Sequence, residues 1–455
     1  MPASPPGSTS WLGCPEMARL DVSDALARTA TYPHAVLTYV GPDGYPLNIA
    51  VDFTAAVDAA MVEIGAIDQD LRPENGQEVE LTFSHIRPQP GVGYDERRYV
   101  NLWGPATRTG ERLRVAVRRA SGWDEADTPF FEYAERGVPA GRSYLDELGA
   151  KPRLSRWWTV FLATRLPFLT ATLIPVGLGG VVAARDGAFH TVWFVLALLA
   201  AVAVHLGLNM ANDLFDDANG ADAANVTPTP FSGGSRVLQY GLVSRRAMVT
   251  GCVALYALSI GLGLFLAAER GWGLLAIGAV GVALSLAYSA PPLRLVHRGL
   301  GEPVTALGFG PVMAVGTYFA SAGRWSWQPV LASLPVALLI ALVLYVNQIP
   351  DRAGDATAGK RTLIVRLTPA QVQTGYAIGV VAAYVCIVAE VVAGVTPAWT
   401  LLALVTVPLA GRVWNGLRAH YGDPYALMPT MQSNILLHLL TGLLLVTGYV
   451  IAVVS

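Results

Sequence analysis

Asn209–Asp222 reads NMANDLFDDANGAD, and it closes a run, 187–212, that contains no Asp, Glu, Lys or Arg. Four carboxylates, Asp213, Asp216, Asp217 and Asp222, thus crowd the exit of an apolar segment. If that segment is a helix continuing through Asp216, then Asn209 and Asp213 lie four apart, as do Asn212 and Asp216. These four side chains then share one broad face. Ionisable groups at membrane depth are costly and usually face a polar cavity. The stretch is either a solvated helix end or a place that holds something needing negative charge beside a membrane.

The composition around it is that of a membrane protein. The 455 residues are 53% hydrophobic and 14% charged, against about 25% charged in soluble domains, and the mean hydropathy is +0.44. From Leu166 onward, sparse charges divide the chain into charge-free windows at 166–184, 187–212, 247–268, 271–293, 303–323, 325–350, 367–389, 391–411 and 424–455. Each can supply the roughly 20 apolar residues of a spanning helix, and nine such helices would be hard to solubilise as one buried core. The alternate connections hold 15 Lys and Arg on one side but only Arg185, Arg270 and Arg324 on the other. This bias predicts a multi-pass protein of the cell membrane with its amino-terminal domain in the cytoplasm and, after nine crossings, its carboxyl terminus outside.

Residues 1–150 have a different character, with 13 of the 31 Lys and Arg and none of the long apolar windows. Residues 1–20 are rich in Pro, Ser and Gly and predict a disordered tail; the start lacks the basic and apolar regions of a signal peptide. Over 21–150, HAVLTYV and YPLNIAVDF flank the turn signal GPDG, and EVELTFSHI, RYVNLWGPATRT and RLRVAVRRA continue the strand-like alternation. A mainly-β domain is expected there and an all-α nine-helix transmembrane bundle over 151–455. Cys14, Cys252 and Cys386 are scattered and fit neither a disulfide framework nor a metal cluster.

The sixth window ends as the second does, in VNQIPDRAGDATAGKRT. Asn347, Asp351 and Asp355 recur every four residues and form a second stripe, followed by Lys360 and Arg361. Two such stripes at the same membrane side can face each other across a bundle. Carboxylate oxygens suit Mg²⁺, which shares its shell with substrate phosphates. With Lys360 and Arg361 beside them, they describe a diphosphate site that stabilises a departing anion. The loop FSGGSR, with Ser232, Ser235 and Arg236, suits folding over an anion or an acidic acceptor. In YSAPPLRLVHRG, Pro291 and Pro292 end a helix, placing Tyr288 at membrane depth, where its π face suits a cation, and Arg294 at the interface as a further diphosphate candidate.

These residues resemble the UbiA superfamily of intramembrane prenyltransferases over about 155–455, and within it the branch acting on 1,4-dihydroxy-2-naphthoate. The resemblance is carried by NDLFDDANGAD, PFSGGSRVLQYGLVS, YSAPPLRLVHRGLGE and DRAGDATAGKRTLIVRL. It implies that Asn212, Asp213, Asp216, Asp351 and Asp355 bind Mg²⁺ and diphosphate, the four acids being catalytic. Lys360 contacts phosphate, with Arg294, Arg361, Asn209 and Asn347 beside it, and Asp222 belongs to the extended first motif. The implied substrates are a polyprenyl diphosphate and an aromatic acceptor in the lipid bilayer; no nucleic acid is expected. The sequence departs from the family in TRLPFL, where Leu166 separates Arg165 from the proline, so Arg165 is left unassigned. Other acceptors of the superfamily (4-hydroxybenzoate, homogentisate or a glyceryl phosphate) stay open, as does a membrane cation transporter. Residues 22–145 resemble the split β-barrel group of pyridoxamine-phosphate oxidases and flavin reductases. That resemblance implies an FMN phosphate near His85, Arg87, Arg97 and Arg98, or a barrel without catalytic function.

Overall fold

The computed structural model describes residues 19–89, 93–147, 149 and 154–455 and divides into two compact units, Met1–Ala150 and Lys151–Ser455. The tail expected over 1–20 lies outside the described residues except for Arg19 and Leu20, which form strand β1.

The first unit is an antiparallel sheet built on alternation. In β2 (Ala35–Val40), Ala35, Leu37 and Tyr39 point inward, and Gly44, at φ +84°, turns the chain into β3 (Pro46–Val51). The remaining strands are β4 (Phe53–Ala56), β5 (Met61–Ile64), β6 (Glu78–Gln89), β7 (Gly93–Thr109), β8 (Arg112–Ala116) and β9 (Arg119–Asp124). They pair in the order β3-β2-β6-β7-β8-β5-β4, with β9 joined to β7 and β1. The length of β7 lets it serve β9 along Arg98–Trp103 and β8 along Ala106–Thr109. Helix α1 (Val22–Thr29) is capped by Asp21, which accepts from the Ser23 amide. It adds Leu26 to a core of Leu37, Leu81, Phe83, Leu102 and Val115. Each such side chain contributes about 1.5–3 kcal/mol on burial. Helix α2 (Phe130–Glu147) follows the sheet.

The second unit is helical. After a short helix α3 (Arg156–Ala163) come α4 (Leu166–Arg185), α5 (Thr191–Asn219), the one-turn α6 (Ala221–Ala224), α7 (Arg245–Arg270), α8 (Gly273–Ser289), α9 (Gly301–Ala322) and α10 (Gln328–Asn347). Two short helices, α11 (Arg352–Thr357) and α12 (Leu363–Arg366), lead into α13 (Pro369–Val392), α14 (Ala398–His420) and α15 (Met428–Val454). Among the described residues, eight helices are long and apolar enough to cross a membrane, whereas α8 has only 17 residues. Its window is shortened at both ends: Gly271 breaks the chain at φ +122°, and Ala290 is extended ahead of Pro291. The outward faces carry Val253, Ile378, Val381, Val385 and Val405, all exposed, as a multi-pass membrane protein requires. Inside, glycines bring helices together. A Cβ on Gly179 would lie 2.3 Å from the Ala314 carbonyl oxygen.

Candidate active site

The helical unit holds a chamber of about 680 Å³, lined by polar residues in one part and by apolar ones in the rest. Val204, Leu264, Leu274, Ile277, Val312 and Met313 are among the residues that line the apolar part. The polar end is made where two helices stop. Helix α5 runs through its acids and ends at Gly220, whose φ of +80° reverses the chain, so that α6 delivers Asp222 to the same chamber. Helix α10 ends at Asn347, and Asp351 stands at the N-cap of α11, with Asp355 one turn on.

The two acid stripes meet. Lys360 Nζ lies 2.8 Å from Asp216 Oδ1 and 3.3 Å from Asp355 Oδ1. All three side chains are almost fully buried. Asp213 accepts from the Arg165 guanidinium and from the Ser235 amide at 3.3 Å. Asp351 accepts from Asn225 Nδ2 at 2.8 Å and from the Gly233 amide at 3.1 Å. The loop holding Ser232, Ser235 and Arg236 therefore folds over both stripes. Gly233 and Gly234 both adopt φ +76°, and a Cβ on Gly234 would come within 3.0 Å of the Asp222 carboxylate, so glycine is required there. Ser232 pairs with Thr229 at 2.9 Å, and Arg236 donates to the Asp222 carbonyl oxygen.

Asn212 donates to Asp216 at 3.3 Å and accepts from Ser289 at 2.5 Å, while Asn209 holds the Thr164 carbonyl at 2.9 Å. Both asparagines, Asn347 and Tyr288 line the chamber. Arg294 and Arg361 do not. Both are exposed; Arg294 sits in a turn at φ +43°, and Arg361 gives its backbone N–H to the His297 carbonyl. Arg165, His205, Asn225 and Gln348 are among the polar lining residues that had no sequence assignment. Arg165 is in left-handed conformation, φ +51°, immediately before the turn Leu166–Leu169, and this brings its guanidinium to Asp213 despite the extra leucine. His205 accepts from or donates to Thr172 at 2.7 Å and meets the Phe309 ring edge-on. Its position four residues before Asn209 is the signal by which the sequence would have set it on the same stripe.

Crowding carboxyls out of water disfavours their charge. Burial, then the neighbouring Asp216 and Asp213, push the Asp222 carboxyl up to about 8. Burial also raises Asp351 and outweighs Lys360 at Asp355, pushing that carboxyl up to about 7. At Lys360 the balance is reversed: burial works against the ammonium, but Asp216 and Asp355 together prevail and hold it protonated. The polar end thus has more acids than cations and is poised to take up positive charge.

The sheet unit lends the flavin expectation no support. Arg87 is clamped by Asp95 at 2.9 and 2.8 Å and by Glu96 at 3.0 Å, and Glu96 also lies 3.4 Å from His85. Arg97 binds Glu125 at 3.1 Å and stacks on Phe130, and Arg98 lies over Tyr32. The basic groups are matched by acids and rings of the unit itself rather than gathered for a phosphate, so the FMN reading has no support in this geometry.

Residues 172–450 match the UbiA prenyltransferase family. A 2-carboxy-1,4-naphthoquinone phytyltransferase of Synechocystis sp. is 26% identical over 299 residues, covering 66% of this chain and 94% of that protein. A 1,4-dihydroxy-2-naphthoate octaprenyltransferase of Mycobacterium tuberculosis is 32% identical over 249 residues, covering 53% of this chain and 80% of that protein. A solved structure of a UbiA homolog from Archaeoglobus fulgidus bound to DMAPP and Mg²⁺ aligns at 15% identity over 63% of this chain and 99% of its own, with a TM-score of 0.42. The match runs from the first spanning helix into the last and takes in both acid stripes, and on it the chain belongs to the UbiA prenyltransferase family.

Proposed function

We propose that the protein is a Mg²⁺-dependent membrane prenyltransferase that moves a polyprenyl group from its diphosphate to 1,4-dihydroxy-2-naphthoate. The observation that carries the reading is Lys360 joining Asp216 to Asp355 at the polar end of an otherwise apolar chamber. Hydrocarbon fits one end and an anion with its counter-ions the other. The names of the relatives support the naphthoate acceptor. A cation transporter is disfavoured, because the acids cluster with Lys360 and Arg165 at one end of the bundle rather than along a path through it.

The donor set fits Mg²⁺. Asn212, Asp213, Asp216, Asp351 and Asp355 offer hard oxygens, and at the polar end the acids outnumber Lys360 and Arg165. Among the described residues no three acids are gathered into a ready cage, which suits an ion held by one or two carboxylates and by substrate phosphates. When bound, Mg²⁺ supplies neutralisation of the leaving diphosphate. Lys360 presents a protonated ammonium to the same leaving group. The allylic C1–O bond breaks with its electron pair on diphosphate, the ring carbon bearing the carboxylate forms the new C–C bond, and that carboxylate departs as CO₂. Tyr288 offers its ring to the transient allylic cation.

Helix α8 brings the crossings to nine in this reading. At about 1.5 Å per residue its 17 residues fall a little short of the roughly 30 Å hydrocarbon core, and Trp272, exposed at its start, is an interfacial anchor. The amino-terminal unit, a split-barrel-like sheet, lies in the cytoplasm and the carboxyl terminus outside; the sheet unit has a supporting rather than a catalytic role.

The test is transfer by the purified full-length protein from labelled prenyl diphosphate to dihydroxynaphthoate, with 4-hydroxybenzoate, homogentisate and glyceryl phosphate as competing acceptors. The product mass should show loss of CO₂, and Asp213→Ala and Asp351→Ala should each abolish Mg²⁺-dependent turnover while leaving membrane insertion intact. Undiminished turnover in both variants would sink the reading.

A further inference from the structure

The carboxylates at the polar end of the chamber each engage a donor: Asp213 from Arg165 and Ser235, Asp216 and Asp355 from Lys360, Asp222 from Gln239, Asp351 from Asn225 and Gly233. Two neutral groups at the same end differ. Asn347 and Gln348 close α10, are only 7% and 6% exposed and line the chamber. Among the described residues, Asn347 Oδ1 and Gln348 Oε1 have no hydrogen-bond partner. A buried amide oxygen left unpaired costs about 1–3 kcal/mol, so both oxygens are sites where a donor is missing.

The chemistry of the missing donor narrows the ligand. A prenyl chain has no donors, and diphosphate oxygens are acceptors that a carbonyl oxygen repels. Of the reactants in the proposed reaction, only the aromatic acceptor brings neutral O–H groups. Gln348 retains helical backbone angles beyond Asn347, so the two side chains leave the helix about 100° apart and present two separate acceptors rather than one. We infer that Asn347 and Gln348 form a subsite that reads the ring hydroxyls of a dihydroxyarene acceptor. This inference rests on the prenyltransferase reading and assigns Gln348 as a specificity-determining residue.

The experiment compares 1,4-dihydroxy-2-naphthoate with 1-hydroxy-2-naphthoate as acceptors for the full-length protein in lipid nanodiscs. The missing hydroxyl also makes the ring a poorer nucleophile, but equally so for every variant, so the change in preference isolates the protein's share. A site built to bond a hydroxyl rejects the analogue lacking it strongly, so the unsubstituted protein should prefer the dihydroxy acceptor by about tenfold or more in kcat/KM. Gln348→Met, similar in size but without the amide, should raise the acceptor KM by about tenfold and cut that preference to about threefold. The KM for prenyl diphosphate and the Mg²⁺ requirement should stay unchanged. Gln348→Asn, which keeps the amide but shortens its reach, should show a smaller loss and serves as the deciding variant if Gln348→Met does not fold. A variant that keeps the full preference, or that loses prenyl diphosphate affinity in step with acceptor affinity, overturns the subsite alone. Absence of transfer to either naphthoate by the unsubstituted protein overturns the prenyltransferase reading and the subsite with it.

Discussion

Lys360 decides the electrostatics of the polar end, because the two stripes it joins would otherwise set carboxyls against each other in a buried place. Removing one partner of such a pair costs about 3–5 kcal/mol, and removing a preorganised donor at a leaving group costs about 10²–10³ in kcat. Lys360→Met should therefore lower both the thermal midpoint and kcat, measured by unfolding in detergent and by the transfer assay. Arg294→Ala and Arg361→Ala touch exposed side chains outside the chamber, and both should leave kcat within about threefold of the unsubstituted value, as surface charges contribute little. The difference marks what a sequence encodes at this scale. Asn212, Asp213, Asp216, Asp351 and Asp355 were legible because a spacing of three or four is itself a statement about a helix face. Whether an arginine on a turn swings inward is set by where the fold places the turn and not by its backbone angles, which are nearly the same at Arg165 and Arg294. Arg165 at φ +51° reaches Asp213, while Arg294 at φ +43° faces water. Gln348 has no pattern at all; only the fold shows that its amide oxygen is stranded.

Among the elements, helix contacts and strand pairs rest on different terms. Helix α4 meets α9 at Gly179, where a Cβ would stand 2.3 Å from the Ala314 carbonyl and 3.0 Å from Thr317. Gly179→Val forces the helices apart, and overpacking of this kind costs about 1–3 kcal/mol. Its thermal midpoint should fall while the sheet unit keeps its near-ultraviolet signal from Trp123. In the sheet, Glu125 is held below its ordinary value of 4.5, first by the Arg97 guanidinium that donates to it and also by the Arg97 backbone amide. A carboxyl with a depressed folded pKa stabilises above its unfolded value and loses that contribution as pH falls through the folded one. The stability of the sheet unit should therefore decline below about pH 4.5, and Glu125→Gln should flatten that part of the profile, read by Trp123 fluorescence. Alternation made the strands legible, as Leu37, Leu81 and Leu102 show. The shortness of α8 was not, because Trp272 and Gly271 extend its charge-free window without extending its helix.

At the scale of the molecule, the ion pair between Lys360 and Asp216 constrains how often the chain crosses the bilayer. Asp216 lies at the end of α5, and Lys360 follows α11. With 2.8 Å between them, both belong to one side of the membrane, so the chain between them crosses an even number of times. Helices α7, α9 and α10 are three spans by length; in the proposed topology α8 supplies the fourth crossing. In the proposed topology the same parity makes nine crossings in all, with the two ends of the bundle on opposite sides. In that proposed topology the 15 Lys and Arg share the side of the acid stripes, the cytoplasmic side by the positive-inside rule. A phosphatase active only outside the cell, fused after Ser455, should therefore be active, and a phosphatase inserted beside Lys360 should be silent. If α8 instead lay along the surface, the carboxyl-terminal fusion would be silent, the insertion beside Lys360 would be active, and Lys360 could not reach Asp216 across the bilayer. Activity of the terminal fusion together with loss of transfer in Lys360→Met ties the crossing of α8 to the assembly of the site.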